Sequence, residues 1–316
     1  MEAIQPACIP VNLCFAANEK YARHLAAALY SVLKNRDTKR LYDVLILHKD
    51  ISEESQKRIL EMEKEGNVFI RFISMEQYEK QVAYDVGAYY SVETNYRLFL
   101  FGEMFAKYDR ILYLDCDLIV EGDISGLYDV ELGDCEAAAV RSEDFRLLSK
   151  IKKPIFMDRF PYNVDNYRTD ALGMKTPENY FNAGVLVMDL KKVRQRITQK
   201  QVFEILHRHN YYYNDQDVLN IVFDGRVKNV DCRWNYMTYI PEQLAKENVN
   251  NRKLFAELYR ENPCIIQYKC GKTMEQRNES FRRPILEISK GNGEKVCIKS
   301  FILTTISPRL KESGKI

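Results

Sequence analysis

The sequence lacks the features that announce several common protein classes. No apolar run approaches the roughly 18 residues of a membrane span, and Met1–Pro10 has no long apolar region of the kind a cleavable signal carries. A chain that stays in the cytoplasm is the expectation. The eight cysteines fall at irregular spacings without a Cys-x-x-Cys pair, which argues against a zinc ribbon or a disulfide framework and for reduced thiols. The histidines, His24, His48, His207 and His209, show no metal-ligand spacing. Neither a Gly-x-Gly-x-x-Gly fingerprint nor a Walker-type phosphate loop occurs, so dinucleotide oxidoreductases and ATPases lack their expected signatures. Internal repeats and low-complexity tracts are absent as well.

What is present fits a globular domain with a distinct tail. The 316 residues suffice for a large core, 46% of them are hydrophobic, and 47 lysines and arginines nearly balance 45 acids. Disorder and nucleic-acid binding are both disfavoured. The charge is uneven, because residues 268–316 hold eleven Lys/Arg against five Glu, a net +6, which leaves −4 on residues 1–267. Within this tail the apolar run Val296–Ile306 contains Lys299 and is flanked by basic residues. Two readings stand: peripheral attachment to an anionic membrane, or packing of the run on the domain, which its β-branched residues favour slightly.

The apolar pattern predicts strands at Val11–Ala17, Tyr42–His48 and Val68–Ile73, separated by helices over Tyr21–Leu33 and from Ser52 to about Glu65. This β-α-β-α-β order is that of a parallel sheet with helices on its faces. A helix over Thr94–Phe105 and a strand at Arg110–Leu114 follow. Later strands are expected at Ala137–Val140, Val185–Asp189, Val227–Val230 and Cys264–Tyr268, with helices over Lys191–His209 and Gln216–Phe223. Arg141–Asn179, with three prolines and little periodicity, reads as a long excursion or lid. Open α/β sheets bind ligands beyond the carboxyl ends of their strands, so loops near Ala16, Asp115 and Tyr268 should converge.

Chemistry enters with Asp115-Cys116-Asp117, two carboxylates directly after an apolar strand. In extended backbone they share one face. Acids so close repel unless a cation neutralises them, and hard divalent ions favour carboxylate together with phosphate oxygen. A metal bridging the protein to a diphosphate is one reading, and a solvated acidic turn is the other.

Several separated motifs resemble glycosyltransferase family 8 in the same order. They are Phe15-Ala16-Ala17-Asn18-Glu19-Lys20-Tyr21, Asn95-Tyr96-Arg97-Leu98, Tyr113-Leu114-Asp115-Cys116-Asp117, Tyr180-Phe181-Asn182-Ala183-Gly184-Val185-Leu186, Asn214-Asp215-Gln216-Asp217-Val218-Leu219-Asn220 and, more weakly, Ile265-Ile266-Gln267-Tyr268. The likeness spans about residues 11–272. It implies a Rossmann-like, GT-A-type catalytic domain over 1–272 with a mainly parallel central sheet, leaving 273–316 as the basic tail. It also implies transfer of a hexose from a UDP-sugar, with retention of configuration and with Mn²⁺ or Mg²⁺, to a glycan or glycolipid acceptor of the cell envelope.

Site residues carried over from the resemblance are Asp115 and Asp117 for the metal, and Ala16, Asn18 and Tyr21 around the nucleoside. Asn182, Ala183 and Gly184 would form a wall of the donor-sugar pocket. Arg97 would lie on the donor's sugar or phosphate side, and Cys116, Gly271 and Lys272 join the donor-binding set. Asp215 would grip sugar hydroxyls and Gln216 would sit near the face open to a nucleophile; Asn214 with the acids after it also reads as an ordinary helix start. The sequence departs from the family pattern in several places: Gln267 stands where a histidine is usually the third metal ligand, though its carbonyl could still ligate Mn²⁺ or Mg²⁺; Gly271 is displaced by one residue and no Lys-Pro-Trp follows it; and Asn18 stands where an acid often meets the uracil. A sugar-nucleotide-binding homologue without turnover is one alternative. Another is a haloacid-dehalogenase-type phosphatase, which also carries Asp-x-Asp after a strand, although Ile119 occupies its usual Thr or Val position.

Overall fold

The computed structural model of the chain describes residues 3–5, 10–82, 91–145, 148, 154–238 and 262–268. These belong to a compact unit spanning Met1–Gln267, apart from Tyr268, which begins a second unit, Tyr268–Ile316. Gly271 and Lys272, expected in the donor-binding set, and the tail 273–316 lie outside the described residues.

The strands in chain order are β1 (Val11–Ala17), β2 (Tyr42–His48), β3 (Val68–Ser74), β4 (Arg110–Leu114), β5 (Leu118–Val120), β6 (Ala137–Arg141), β7 (Ile155–Met157), β8 (Phe160–Tyr162), β9 (Phe181–Asp189), β10 (Val227–Asn229), β11 (Tyr236–Met237) and β12 (Ile265–Gln267). Seven form a central sheet in the order β10-β6-β9-β4-β1-β2-β3. The neighbours β3-β2-β1-β4 run parallel, as do β6 and β10, while β9 alone lies antiparallel to both β4 and β6. The expected mixed α/β fold with a mainly parallel sheet is what forms. Strands β1 and β2 are near-continuous apolar runs because helices α1 (Ala22–Lys34) and α2 (Glu53–Leu60) connect them as crossovers and both sheet faces are covered. Leu13, Phe15, Leu45 and Leu47 are wholly buried, each contributing on the order of 2 kcal/mol by burial.

Several expected elements differ in detail. Val92–Phe101 is a 3-10 helix followed by a second short one at Glu103–Phe105, where the pattern predicts one α-helix. Residues Asn95 to Phe101 are all buried, so the segment packs on every side and gains nothing from an amphipathic face. It breaks at Gly102, where a Cβ would lie 1.8 Å from Gln199 Oε1. The helix expected over Lys191–His209 is two, Leu190–Arg196 and Gln199–Leu206, because Ile197 is extended and Thr198 caps a new start with a reciprocal Thr198–Gln201 capping box. The excursion after Arg141 contains the β7–β8 hairpin and short helical turns around Tyr167.

A second, three-stranded sheet, β11-β12-β5, sets the site. Its strand β5 begins directly after Asp117, and β12 pairs with it antiparallel in a register that puts Gln267 opposite Leu118. Sequence patterning misses β5, which is only three residues long.

Candidate active site

Strand β4 ends at Leu114, paired with Val185 of β9. The Asp115 amide then donates to the Gly184 carbonyl at 2.8 Å. The acids therefore emerge at the rim where β1 ends and β9 begins, and Cys116 ties the two rims together by donating to the Ala16 carbonyl at 3.1 Å. Cys116 is buried, and burial holds its thiol well above the ordinary range, so it acts as a packed donor rather than a nucleophile.

Gln267 reaches back from β12 and straddles the acids, its Nε2 donating to Asp115 Oδ2 at 2.9 Å and to Asp117 Oδ1 at 3.0 Å. An amide group thus occupies the space between two carboxylates, where positive charge is wanted. Its other end, Oε1, is buried without a hydrogen-bond partner. Such an orphaned carbonyl oxygen beside two carboxylates is a donor set that suits a hard divalent ion, once the two ends of the amide exchange. Asp115, Asp117 and Gln267 therefore fit a metal. Among the described residues no group of three His, Cys, Asp or Glu side chains does so. Gly184 lines the same space: a Cβ there would sit 2.5 Å from Gln267 Nε2 and 2.6 Å from Asp115 Oδ2.

Arg97 organises the opposite side. It is 5% exposed, pairs with Asp115 at 3.2 Å and Asp215 at 2.6 Å, donates from Nη1 to the Ala183 carbonyl at 2.6 Å and stacks 4.4 Å over the Tyr113 ring. Its Nε–H is aimed at the Thr94 carbonyl, 3.0 Å away, so the close approach to Asp215 is an ion pair rather than an aligned hydrogen bond. Burial opposes the charge on Arg97, but Asp215, Tyr113, Asp115 and Asp117 outweigh it and raise the guanidinium further. Asp215 is pushed up to about 6, chiefly by burial, with Arg97 opposing. Arg97 is thus enclosed by protein partners, which makes it an organiser of the two acids.

The helix Asp215–Val222 places its first turn against the start of β9. Gln216 Oε1 accepts from the Ala183 amide at 3.1 Å, and its Nε2 donates to Tyr180 Oη at 3.2 Å. Asn182 Oδ1 takes the Gly184 amide at 2.8 Å and Asn235 Nδ2 at 2.9 Å. Asn214 does not cap this helix with its side chain. It adopts φ 49° and instead donates to Asn95 Oδ1 at 3.1 Å, tying the helix start to the 3-10 segment that carries Arg97. Asn18, by contrast, is a cap: its Oδ1 accepts from the Tyr21 amide at 3.2 Å beyond β1, with Ala16 partly exposed beside it.

The structure thereby brings together Ala16, Cys116, Asp115, Asp117, Gln267, Gly184, Ala183, Arg97, Asp215 and Gln216 through successive contacts. Asn18 and Tyr21 lie just past the end of β1, and Asn182 lies at the start of β9. Tyr113, Tyr180, Asn95 and Asn235 complete the network. The first three stand inside the quoted motifs, but their apolar neighbours mark them only as core.

The sequence profile of glycosyl transferase family 8 matches residues 12–273. The chain belongs to glycosyltransferase family 8. The chain is similar to General stress protein A of Bacillus subtilis, 28% identical over 83% of this chain and 85% of that one. A lipopolysaccharide 1,2-glucosyltransferase of Escherichia coli is 30% identical over 55% of this chain and 46% of its own length. Among solved structures, the galactosyltransferase LgtC, in complex with donor and acceptor sugar analogues, aligns over 83% of this chain and 87% of its own with 26% identity and a TM-score of 0.61. The bifunctional glycosyltransferase WbbM shares the fold at a TM-score of 0.75 and 24% identity, with this chain covering 47% of it. The fold is of the GT-A type, and family 8 membership makes the chain a glycosyltransferase. The phosphatase alternative falls with that assignment. Among the described residues no helix is long and apolar enough to cross a membrane.

Proposed function

We propose that the protein transfers a hexose with retention of configuration from a UDP-sugar to a hydroxyl of a cell-envelope glycan or glycolipid, with Mn²⁺ or Mg²⁺ held by Asp115, Asp117 and Gln267. The observation that carries this reading is the paired carboxylates bridged by the Gln267 amide, with its Oε1 orphaned beside them. A divalent ion there would supply charge neutralisation for a departing diphosphate. Ala16, Asn18 and Tyr21 would border the nucleoside, and Asn182, Ala183 and Gly184 the sugar, with Gly271 and Lys272 toward the diphosphate. The lipopolysaccharide glucosyltransferase relative supports a glycan acceptor. A cytoplasmic site of action, with or without the basic tail held on an anionic membrane, suits such an acceptor.

The first turn of the helix bears on stereochemistry. Gln216 is an amide and a feeble nucleophile, and Asp215 is paired with Arg97. Attack from the leaving-group side accommodates this: the acceptor oxygen bonds to the anomeric carbon as the carbon–phosphate oxygen bond breaks, and the acceptor proton passes to the departing UDP. Asp215, fixed by Arg97, would hold sugar hydroxyls in place during the step.

Incubation with a panel of UDP-hexoses and Mn²⁺, following UDP by coupled assay, tests the reading. Release of UDP from at least one donor, abolished by EDTA, is expected, together with a higher melting temperature on adding UDP and Mn²⁺ but not ADP or NAD. Equal UDP shifts with and without EDTA would remove the metal bridge, and absence of both release and shift would remove the donor class.

A further inference from the structure

Asp217 is 0% exposed, yet among the described residues no lysine, arginine or histidine pairs with it. Its Oδ1 accepts from Tyr180 Oη at 2.5 Å, and its Oδ2 from Tyr167 Oη at 2.7 Å and from the Tyr213 amide at 2.8 Å. A buried carboxylate without a cation is costly and persists only when hydrogen bonds to its charged form replace water. Because every one of these contacts brings a donor, Asp217 has no oxygen directed to the sugar site. It can only accept, which fixes the direction of the hydroxyl hydrogens around it.

That direction propagates. Tyr180 commits its hydrogen to Asp217, so toward Gln216 it can only accept, and it takes Gln216 Nε2 at 3.2 Å. Gln216 must then turn its oxygen to the Ala183 amide, 3.1 Å away, while the Ala183 carbonyl takes Arg97. Tyr167, the other phenol on Asp217, accepts from the Tyr212 amide at 3.1 Å and makes no contact with Gln216 among these hydrogen bonds.

We infer that Asp217 is a positioning residue which, through the phenol of Tyr180, sets which end of the Gln216 amide faces the start of β9 and so the sugar-transfer site. The inference rests on the donor-transfer reading above. An Asn at 217 keeps the shape but places an NH₂ donor against groups that already donate, which allows Tyr180 to reverse and Gln216 to lose its fixed orientation.

Donor hydrolysis, with water as acceptor and UDP release as readout, compares the wild type with Asp217→Asn, Tyr180→Phe, their combination, and Tyr167→Phe. Asp217→Asn and Tyr180→Phe should each lower kcat about ten- to a hundredfold with the donor KM within about twofold, as expected for a misoriented group rather than lost binding. The double variant should be no slower than the slower single one, since both break the same relay. Tyr167→Phe should lower the melting temperature but leave kcat unchanged; if both phenol deletions slow turnover alike, the role is structural support and the inference fails. Wild-type kcat in Tyr180→Phe, or multiplied losses in the double variant, would also overturn it. Should Asp217→Asn show no cooperative melt, the Tyr180→Phe and Tyr167→Phe contrast decides alone. Wild type that releases no UDP from any donor removes the donor-transfer reading, whereas active wild type with undiminished variants removes only the positioning role.

Discussion

Asp115-Cys116-Asp117 and Asp215-Gln216-Asp217 carry acids at identical spacing and handle them in opposite ways. The first pair leaves a strand end, and both side chains turn to the one Gln267 amide. The second pair opens a helix, where residues two apart lie about 200° apart around the axis, so Asp215 meets Arg97 while Asp217 meets Tyr167 and Tyr180. One arrangement concentrates negative charge at a rim where Asp115 keeps 25% side-chain exposure. The other separates its charges and buries both. Spacing alone therefore does not bring two acids to one partner; the backbone that carries the spacing does.

The comparison breaks most visibly at the strand-end pair. Asp115→Asn with Asp117→Asn should reduce UDP release by about a thousandfold or more, while a thermal melt stays within a few degrees of wild type, because the change also removes like-charge repulsion. Persistence of transfer would show that Asp115 and Asp117 do not hold the metal.

At the helix pair the expected signature is pH dependence of stability. Burial raises Asp217 to about 6, against an ordinary 3.8, with hydrogen bonds from Tyr180, Tyr213 and Tyr167 opposing. A carboxyl raised on folding weakens the native state as pH climbs from the unfolded value through the folded one, and the weakening is complete above that. Denaturant melts of wild type and Asp217→Asn at about pH 7 and about pH 4.5 should therefore shift in favour of wild type on acidification, by about 2 kcal/mol. A constant difference would mean that the carboxylate carries no burial penalty.

Gly184→Ala inserts a methyl group against Gln267 and Asp115. Overpacking of this kind costs about 1–3 kcal/mol, and the variant should lose UDP release while the Asp217 network, away from the insertion, keeps its pH signature. Smallest is Gln267→His, which supplies an imidazole nitrogen between the acids and should tighten Mn²⁺ about tenfold in titrations of activity. An unchanged Mn²⁺ requirement would show that position 267 does not reach the ion.

Much of this was legible in the sequence. Continuous apolar runs identify β1, β2 and β4, and acids at the end of β4 locate the rim. The direction of β9 was not legible, since a fully buried strand reads alike whichever way it runs. Nor was the pairing of β5 with β12, which brings Gln267 to residues 150 and 152 positions away: β12 lies within the strand expected at Cys264–Tyr268, but its partner β5 is three residues long, too short for a periodic signal. The segment holding Arg97 reads as an α-helix, yet residues 95–101 are buried all round, polar Asn95 and Arg97 included, and Asn214, which reads as a cap, is a buried tie at positive φ. Tyr180 and Asp217 stand inside the quoted motifs, but a buried phenol and a buried acid announce each other only in three dimensions.

The reversal of β9 has a further consequence. Strand β6 leaves the sheet at Arg141 and β9 enters it at Phe181, and these two residues face each other in register. Residues 142–180 are thus a closed loop whose both ends are fastened at one point of the rim, so their number has no bearing on the spacing of the strands. Closing such a loop costs only about 0.6 kcal/mol more for each doubling of its length. The sheet can therefore hold its acids and Arg97 fixed while this stretch is lengthened, shortened or exchanged, and a chimaera carrying a foreign segment between Arg141 and Phe181 should retain glycosyl transfer provided that it keeps a phenol at position 180 between Asp217 and Gln216.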